Sequence, residues 1–390
     1  MKIGPWARLL PAAALLLAGC GNFWQAPSSS SSGGGTSSLS SGNFYVLNQE
    51  TKQIAAYSVV SGALTPVSGS PYTLSAAPYS IAIAPNGSFL YVGTATGIFL
   101  YDIASGGGLT LANSDNVISQ DIATTMQVDS TGSWLVEAGP NLAELLAIPI
   151  NTSTGVPTTT IEKSTLLPAA TVQQLVISPD NAHVFVALGS SGTEDVTFAA
   201  GNATPFGTLA NKAVVNASGA AVAVAVDPDN RLLYIGETAA TSGNNSGGLR
   251  AFNYTTTTLT EVSGSPFATG GLAPYTITPT RYGSNAGDFV YVANRTVSGS
   301  SDGNIAGFAV TTTGTTTTLT ALSTTASAGV TPLGMTQDAL GNYLLVVDSG
   351  GGPDLDAYTF DATTAGKLDS AFTGSTGTDP VEASSIAAAP

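Results

Sequence analysis

One histidine and one cysteine, His183 and Cys20, are the only side chains of their kinds in this 390-residue chain. A transition-metal site of clustered His and Cys is therefore not expected, and no disulfide can form within one chain. The glycine runs Gly106-Gly107-Gly108 and Gly350-Gly351-Gly352 lack the lysine or helix start that phosphate-cradling loops use. Proton transfer is left to carboxylates, and recognition to hydroxyls, amides and aromatic rings. Four residues combine these at positions argued below to share one opening: Tyr79, Gln174, Tyr275 and Glu382. Rings beside an amide and a carboxylate suit a polar, uncharged ligand such as a sugar. Glu382 is also the candidate base for activating water. No cofactor or metal is expected.

Acids outnumber Lys and Arg by 25 to 10, for a net charge of −15. Nucleic-acid binding needs a cationic footprint, so no nucleic-acid partner is expected. Only 9% of residues are charged and 43% are hydrophobic, which excludes a disordered polyelectrolyte.

The elements that must hold those four residues form a repeat. Aromatic and β-branched runs recur: Phe44-Tyr45-Val46-Leu47, Phe89-Leu90-Tyr91-Val92, Trp134-Leu135-Val136, His183-Val184-Phe185-Val186, Leu232-Leu233-Tyr234-Ile235, Phe289-Val290-Tyr291-Val292 and Tyr343-Leu344-Leu345-Val346. They read as buried strands. A second strand follows each, ending at Tyr57, Tyr101, Ile148, Phe198, Phe252, Phe308 and Tyr358, at intervals of 44 to 56 residues. Strands of small and β-branched residues precede them, such as Ser80-Ile81-Ala82-Ile83 and Val222-Ala223-Val224-Ala225. Small residues fit where seven strands converge on one axis. This period, with several short strands per unit, predicts an all-β, seven-bladed β-propeller of four-stranded antiparallel blades. The nonapeptides beginning at Leu64 and Leu259 match at seven of nine positions, which supports true repetition.

The aromatic strand at Phe44 has no inner strand before it; the missing copy stands at the end, in residues 380–390. The carboxy-terminal strand is therefore expected to join the amino-terminal blade and close the ring, leaving no open sheet edge. A solenoid would instead need capping units. In a closed ring, loops after the second strand share a face with the channel mouth. Glu50, Glu137, Glu144, Glu194, Glu237, Asp302, Asp348 and Asp354 there, against Lys52 and Arg295, predict an acidic face. The polar strand ends Asn48, Thr94, Glu237, Asn294 and Asp348 could ring a cation; strand-end capping through the backbone is the reading adopted.

Residues 81–92, Ile-Ala-Ile-Ala-Pro-Asn-Gly-Ser-Phe-Leu-Tyr-Val, resemble the YVTN-type blade motif of the lactonase family of propellers, which includes bacterial phosphogluconolactonases and muconate-lactonizing enzymes. The resemblance covers residues 43–390. It implies a seven-bladed propeller and lactone hydrolysis, with His and Arg at the heads of inner strands, typically a His after an entry proline. The matching positions here are Tyr79, Tyr275, Leu333 and Val381, none of them histidine. His183 aligns with Phe89, Trp134, Leu232, Phe289 and Tyr343, so it is expected to pack.

Residues 1–19 carry Lys2, Arg8 and a ten-residue apolar run, too short to span a membrane and suited to a signal peptide. The run ends in Leu17-Ala18-Gly19-Cys20, which resembles a bacterial lipobox. The resemblance implies lipidation of Cys20, and cleavage before it takes the net charge to −17. Gly21, in place of aspartate, favours the outer membrane. Residues 20–42 read as the lipidated cysteine and a Ser/Gly-rich tether. The expectation is a cell-envelope lipoprotein anchored through Cys20. Its propeller serves as a binding platform for a glycan, small molecule or protein, with the family's catalytic positions lost. The alternative is a lactone hydrolase acting at the channel mouth.

Overall fold

The computed structural model describes residues 39–112, 117–215, 218–241, 246–281, 288–350, 352–377 and 382–390. Residues 1–38, with the expected signal peptide, Cys20 and most of the expected tether, lie outside them. Apart from one 3-10 turn, Thr159–Ile161, the described elements are strands, and no helix among them is long and apolar enough to cross a membrane.

Seven antiparallel blades surround an axis. Blades two to five have inner strands Pro78–Ile83, Thr125–Val128, Gln174–Ile177 and Ala221–Val226. Each continues outward through its second strand: Phe89–Thr94, Trp134–Ala138, His183–Ala187 and Leu232–Glu237. Blades six and seven start at Leu272–Arg281 and Ala326–Gln337. The latter strand is long enough to pair at its start with the third strand of blade six, Asp302–Thr313, at Asp302↔Val330, so these two blades form one continuous sheet.

Blade one is closed by the chain's end. Ala383–Ala388 lies antiparallel to Phe44–Asn48, from Asn48↔Ala383 to Phe44↔Ala388. Each inner strand packs against the next around the complete ring.

The second strands explain why so few polar residues suffice for this fold. Each is buried on both faces, and alternate residues serve different neighbours. Tyr91 packs towards blade three, whereas Leu90 and Val92 pack towards blade one. Seven hydrophobic clusters result among the described residues, one at each blade interface, including the one joining blades seven and one. Burial on both faces makes a strand read as an uninterrupted apolar run.

The two matching nonapeptides also share a local structure. Val67 and Val262 donate their amides to Ala56 and Ala251, and Ser70 and Ser265 accept from the amides of the same two alanines. The following residues, Tyr72–Thr73 and Phe267–Ala268, add a short strand to the third strand of their blades.

Candidate functional site

Inner strands begin, and second strands end, on one face of the ring, termed the mouth face. Here a channel of about 250 Å³ receives residues from all seven inner strands. Tyr79, Gln174 and Tyr275 line it, with Ser80, Gln127 and Ser384 among the other polar groups. Leu333 and Val222 supply apolar surface. Among the described residues, no Asp, Glu, His, Lys or Arg lines this space.

A bulge aims the lining. Pro78 pairs with Thr94 and Ser80 with Gly93, so Tyr79 is an extra residue with no partner of its own. The same skip isolates Val222, Tyr275, Leu333 and Ser384. An inserted residue locally bends a strand and re-aims a side chain, and all five reach the channel. Blades three and four pair without this skip.

The bulge also corrects the register of the last strand. Ala383 pairs with Asn48 as Pro78 pairs with Thr94, so the residue equivalent to Tyr79 is Ser384 and not Val381, which lies outside the described residues. The proline at 380 had suggested otherwise. Glu382 thus stands one residue before Ala383, the position that Ala273 and Thr331 hold before Pro274 and Pro332 in blades six and seven. All three adopt a left-handed backbone, with φ of +49°, +50° and +58°. Glu382 is exposed, its carbonyl accepts from the Gln49 amide, and its side chain does not line the channel.

Several lining groups also join the blades. Gln174 Oε1 accepts from the Val224 amide at 2.9 Å, Gln127 Oε1 from Ile177 at 2.8 Å, and Ser80 donates to the Ala123 carbonyl at 2.7 Å. Tyr79 and Tyr275, both half-buried, make no such stitch.

Arg295 stands beside this mouth and was not singled out from sequence as a site residue. Its guanidinium lies 3.5 Å from the centroid of the Tyr275 ring, and its buried Nε has no hydrogen-bond partner. Its place just beyond the second-strand end Asn294 is the signal that could have found it.

His183 lies far from such a role. It is 2% exposed at the interface of blades four and five, with Nδ1 2.8 Å from Asp195 Oδ1, stacked on Phe185 and edge-on to Tyr254. The acidic mouth face is largely submerged: Glu137, Glu194, Glu237, Asp348 and Asp354 are buried, and Glu237 pairs with Arg250 at 2.8 Å. Of the polar strand ends, Asn48 bonds Thr376, Thr94 bonds the Gly97 carbonyl and Asn294 bonds Thr269 and Asn304. Asp348 differs, with neither carboxylate oxygen hydrogen-bonded.

No protein-family model and no curated protein sequence matches the chain. Solved structures do. A periplasmic gluconolactonase of Pseudomonas aeruginosa, PpgL, superposes with a TM-score of 0.66 at 16% identity, covering 90% of this chain and 100% of its own. A protein of Bacteroides uniformis proposed to be a 6-phosphogluconolactonase gives 0.66 at 15%, over 89% and 99%. A functionally unknown protein of Desulfotomaculum acetoxidans gives 0.64 at 14%, over 89% and 98%. At these identities the likeness is one of fold, and the chain has the lactonase-like propeller architecture.

Proposed function

We propose that this chain is a binding module of the cell envelope, anchored at Cys20, whose channel takes a neutral, polar ligand of the sugar class without hydrolysing it. The observation that carries this reading is the lining itself: hydroxyls, amides and two tyrosine rings, with no carboxylate or imidazole among the described residues to serve as a base. Lactone hydrolysis needs such a base to activate water. Uncharged hydrogen-bonding groups around aromatic faces instead match a sugar's hydroxyls and its apolar ring face. At about 250 Å³ the space falls just below the ~300–1,000 Å³ range of ligand pockets, which suits a single ring or a chain end.

Calorimetric titration with neutral saccharides and sugar acids tests this. Neutral sugars should bind, and Tyr79→Ala and Tyr275→Ala should each weaken binding about tenfold or more while leaving the melting temperature nearly unchanged. Unaltered affinity in both variants would remove the channel from the function. Turnover of lactones abolished by Glu382→Gln would overturn the reading in favour of hydrolysis.

One observation favours that second reading. Arg295, beside the mouth and over the Tyr275 ring, is a nearby cation of the kind that holds a developing oxyanion, and PpgL is named a gluconolactonase. Hydrolysis above the spontaneous rate, lost in Arg295→Gln, would establish it.

A further inference from the structure

Asp348 lies near the end of the second strand of blade seven, Tyr343–Gly350, and is 0% exposed, with no side chain hydrogen-bonded to its carboxylate. The third strand, Leu355–Phe360, places Asp356 on the same sheet face, diagonally across from it. The charge of Asp356 acts on Asp348, and the Gly329 amide faces both carboxylates. A Cβ at Gly329 would come 2.5 Å from Asp348 Oδ2, so any larger residue there would push the carboxylate aside.

A cavity of about 570 Å³ opens against this pair, between blades six and seven and away from the axial channel. Asp356 and Asp302 supply its charge, Gly329 separates it from Asp348, and Val330, Tyr358 and Leu368 form apolar wall. Tyr358 is held in place by donating its hydroxyl to the Ser327 carbonyl. Asp354, the remaining acid nearby, is engaged by the amide and hydroxyl of Thr376.

We propose that this cavity is a second ligand site and that it takes a small organic cation, an alkylammonium or guanidinium group, with Asp356 in the wall and Asp348 behind it as counter-charges. Buried carboxylates without a charged partner are unfavourable, and a cation seated against Asp356 compensates that residue directly and Asp348 through space. The size and the apolar wall select an organic cation over a metal ion. Calcium wants six to eight oxygen ligands, and no group of three or more acidic, His or Cys side chains with metal-binding geometry exists among the described residues.

Burial, with Asp356 and Asp354 nearby, pushes the Asp348 carboxyl up to about 8, and burial takes Asp356 to about 6. An arriving cation favours the ionised forms, so binding should release protons and strengthen as pH rises through this range.

Titrating the full protein with n-butylamine and propylguanidine, beside n-butanol and calcium chloride, tests the proposal. The two cations should bind and the alcohol and calcium should not. Affinity should fall about tenfold or more from about pH 8.5 to about pH 5.5, with proton release visible as a buffer-dependent heat. Asp356→Asn, at a partly exposed position where folding should survive, should weaken binding by a similar factor, whereas Tyr79→Ala should leave it unchanged. Cation binding that persists in Asp356→Asn, calcium bound in place of the amines, or no amine binding at all would each overturn the proposal.

Discussion

Glu137 is 1% exposed at the interface of blades two and three, and both its oxygens lack hydrogen bonds. Burial, followed by the charges of Asp121, Glu162 and Glu144, pushes its carboxyl up to about 8, a value shared by Asp348. In the unfolded chain both groups titrate near 4. Between about pH 4 and pH 8 the folded state therefore holds protons that the unfolded chain has lost, and stability must fall as pH rises through that window. Denaturant unfolding should show greater stability at about pH 5.5 than at about pH 8.5. Glu137→Gln should recover about 1 kcal/mol or more at the alkaline end and little at the acid end; equal effects at both would refute the assignment. His183 gives the opposite kind of expectation. Replacing it by Ala empties packed space and strands Asp195 with only Asn211 as a partner. A loss of about 3 kcal/mol is expected, with channel affinity unchanged in whatever remains folded. These burial effects were not legible in the sequence. A glutamate inside an apolar strand looks like one at its end until the neighbouring blade is in place.

At the scale of strands and turns, the aromatic residues do more than fill interfaces. Tyr45 donates to the Gly107 carbonyl, Tyr91 to Gly155 and Tyr291 to Gly366, each reaching a hairpin of the next blade at 2.6 to 2.9 Å. Trp134 makes an equivalent reach to Ala200. Gly155 and Gly366 have φ of +69° and +77°, and a Cβ at either would run into Phe89 or Phe289. Tyr91→Phe keeps the ring and loses the latch, leaving a buried carbonyl unpaired. It should cost about 1 kcal/mol in equilibrium unfolding; a neutral outcome would mean the hydroxyl's partner is replaceable. The strands themselves were readable because double-sided burial writes them as apolar runs. The bulges were not, since one inserted residue leaves no compositional trace. Tyr79 and Tyr275 were found only because a proline happens to precede each. Ser384 lacks that proline, and a register counted from Pro380 falls three residues early for this reason.

For the whole molecule, the ring depends on its final strand. Ala383 and Ile386 belong to the core between blades seven and one, and Ala389 to that between blades one and two. Deleting residues 383–390 removes the inner strand of blade one and exposes an unpaired edge at Phe44–Asn48. Size-exclusion chromatography and circular dichroism should find aggregate in place of a folded monomer; a monomer with an intact melting transition would contradict the closure. The blade count was legible because seven aromatic runs each demanded a partner. The axial lining was legible only in part, because it depends on which residue of each strand is skipped.

Both ends of the ring come out opposite the mouth. Pro390 packs beside Gly87 in the first hairpin of blade two, and Gly42 beside Ala339 in that of blade seven. A leash leaving at residue 39 would attach to the underside of the wheel, so the anchor proposed at Cys20 leaves the opening unobstructed. A fluorophore fixed near residue 79 should then be quenched by water-soluble acceptors and spared by acceptors confined to the bilayer.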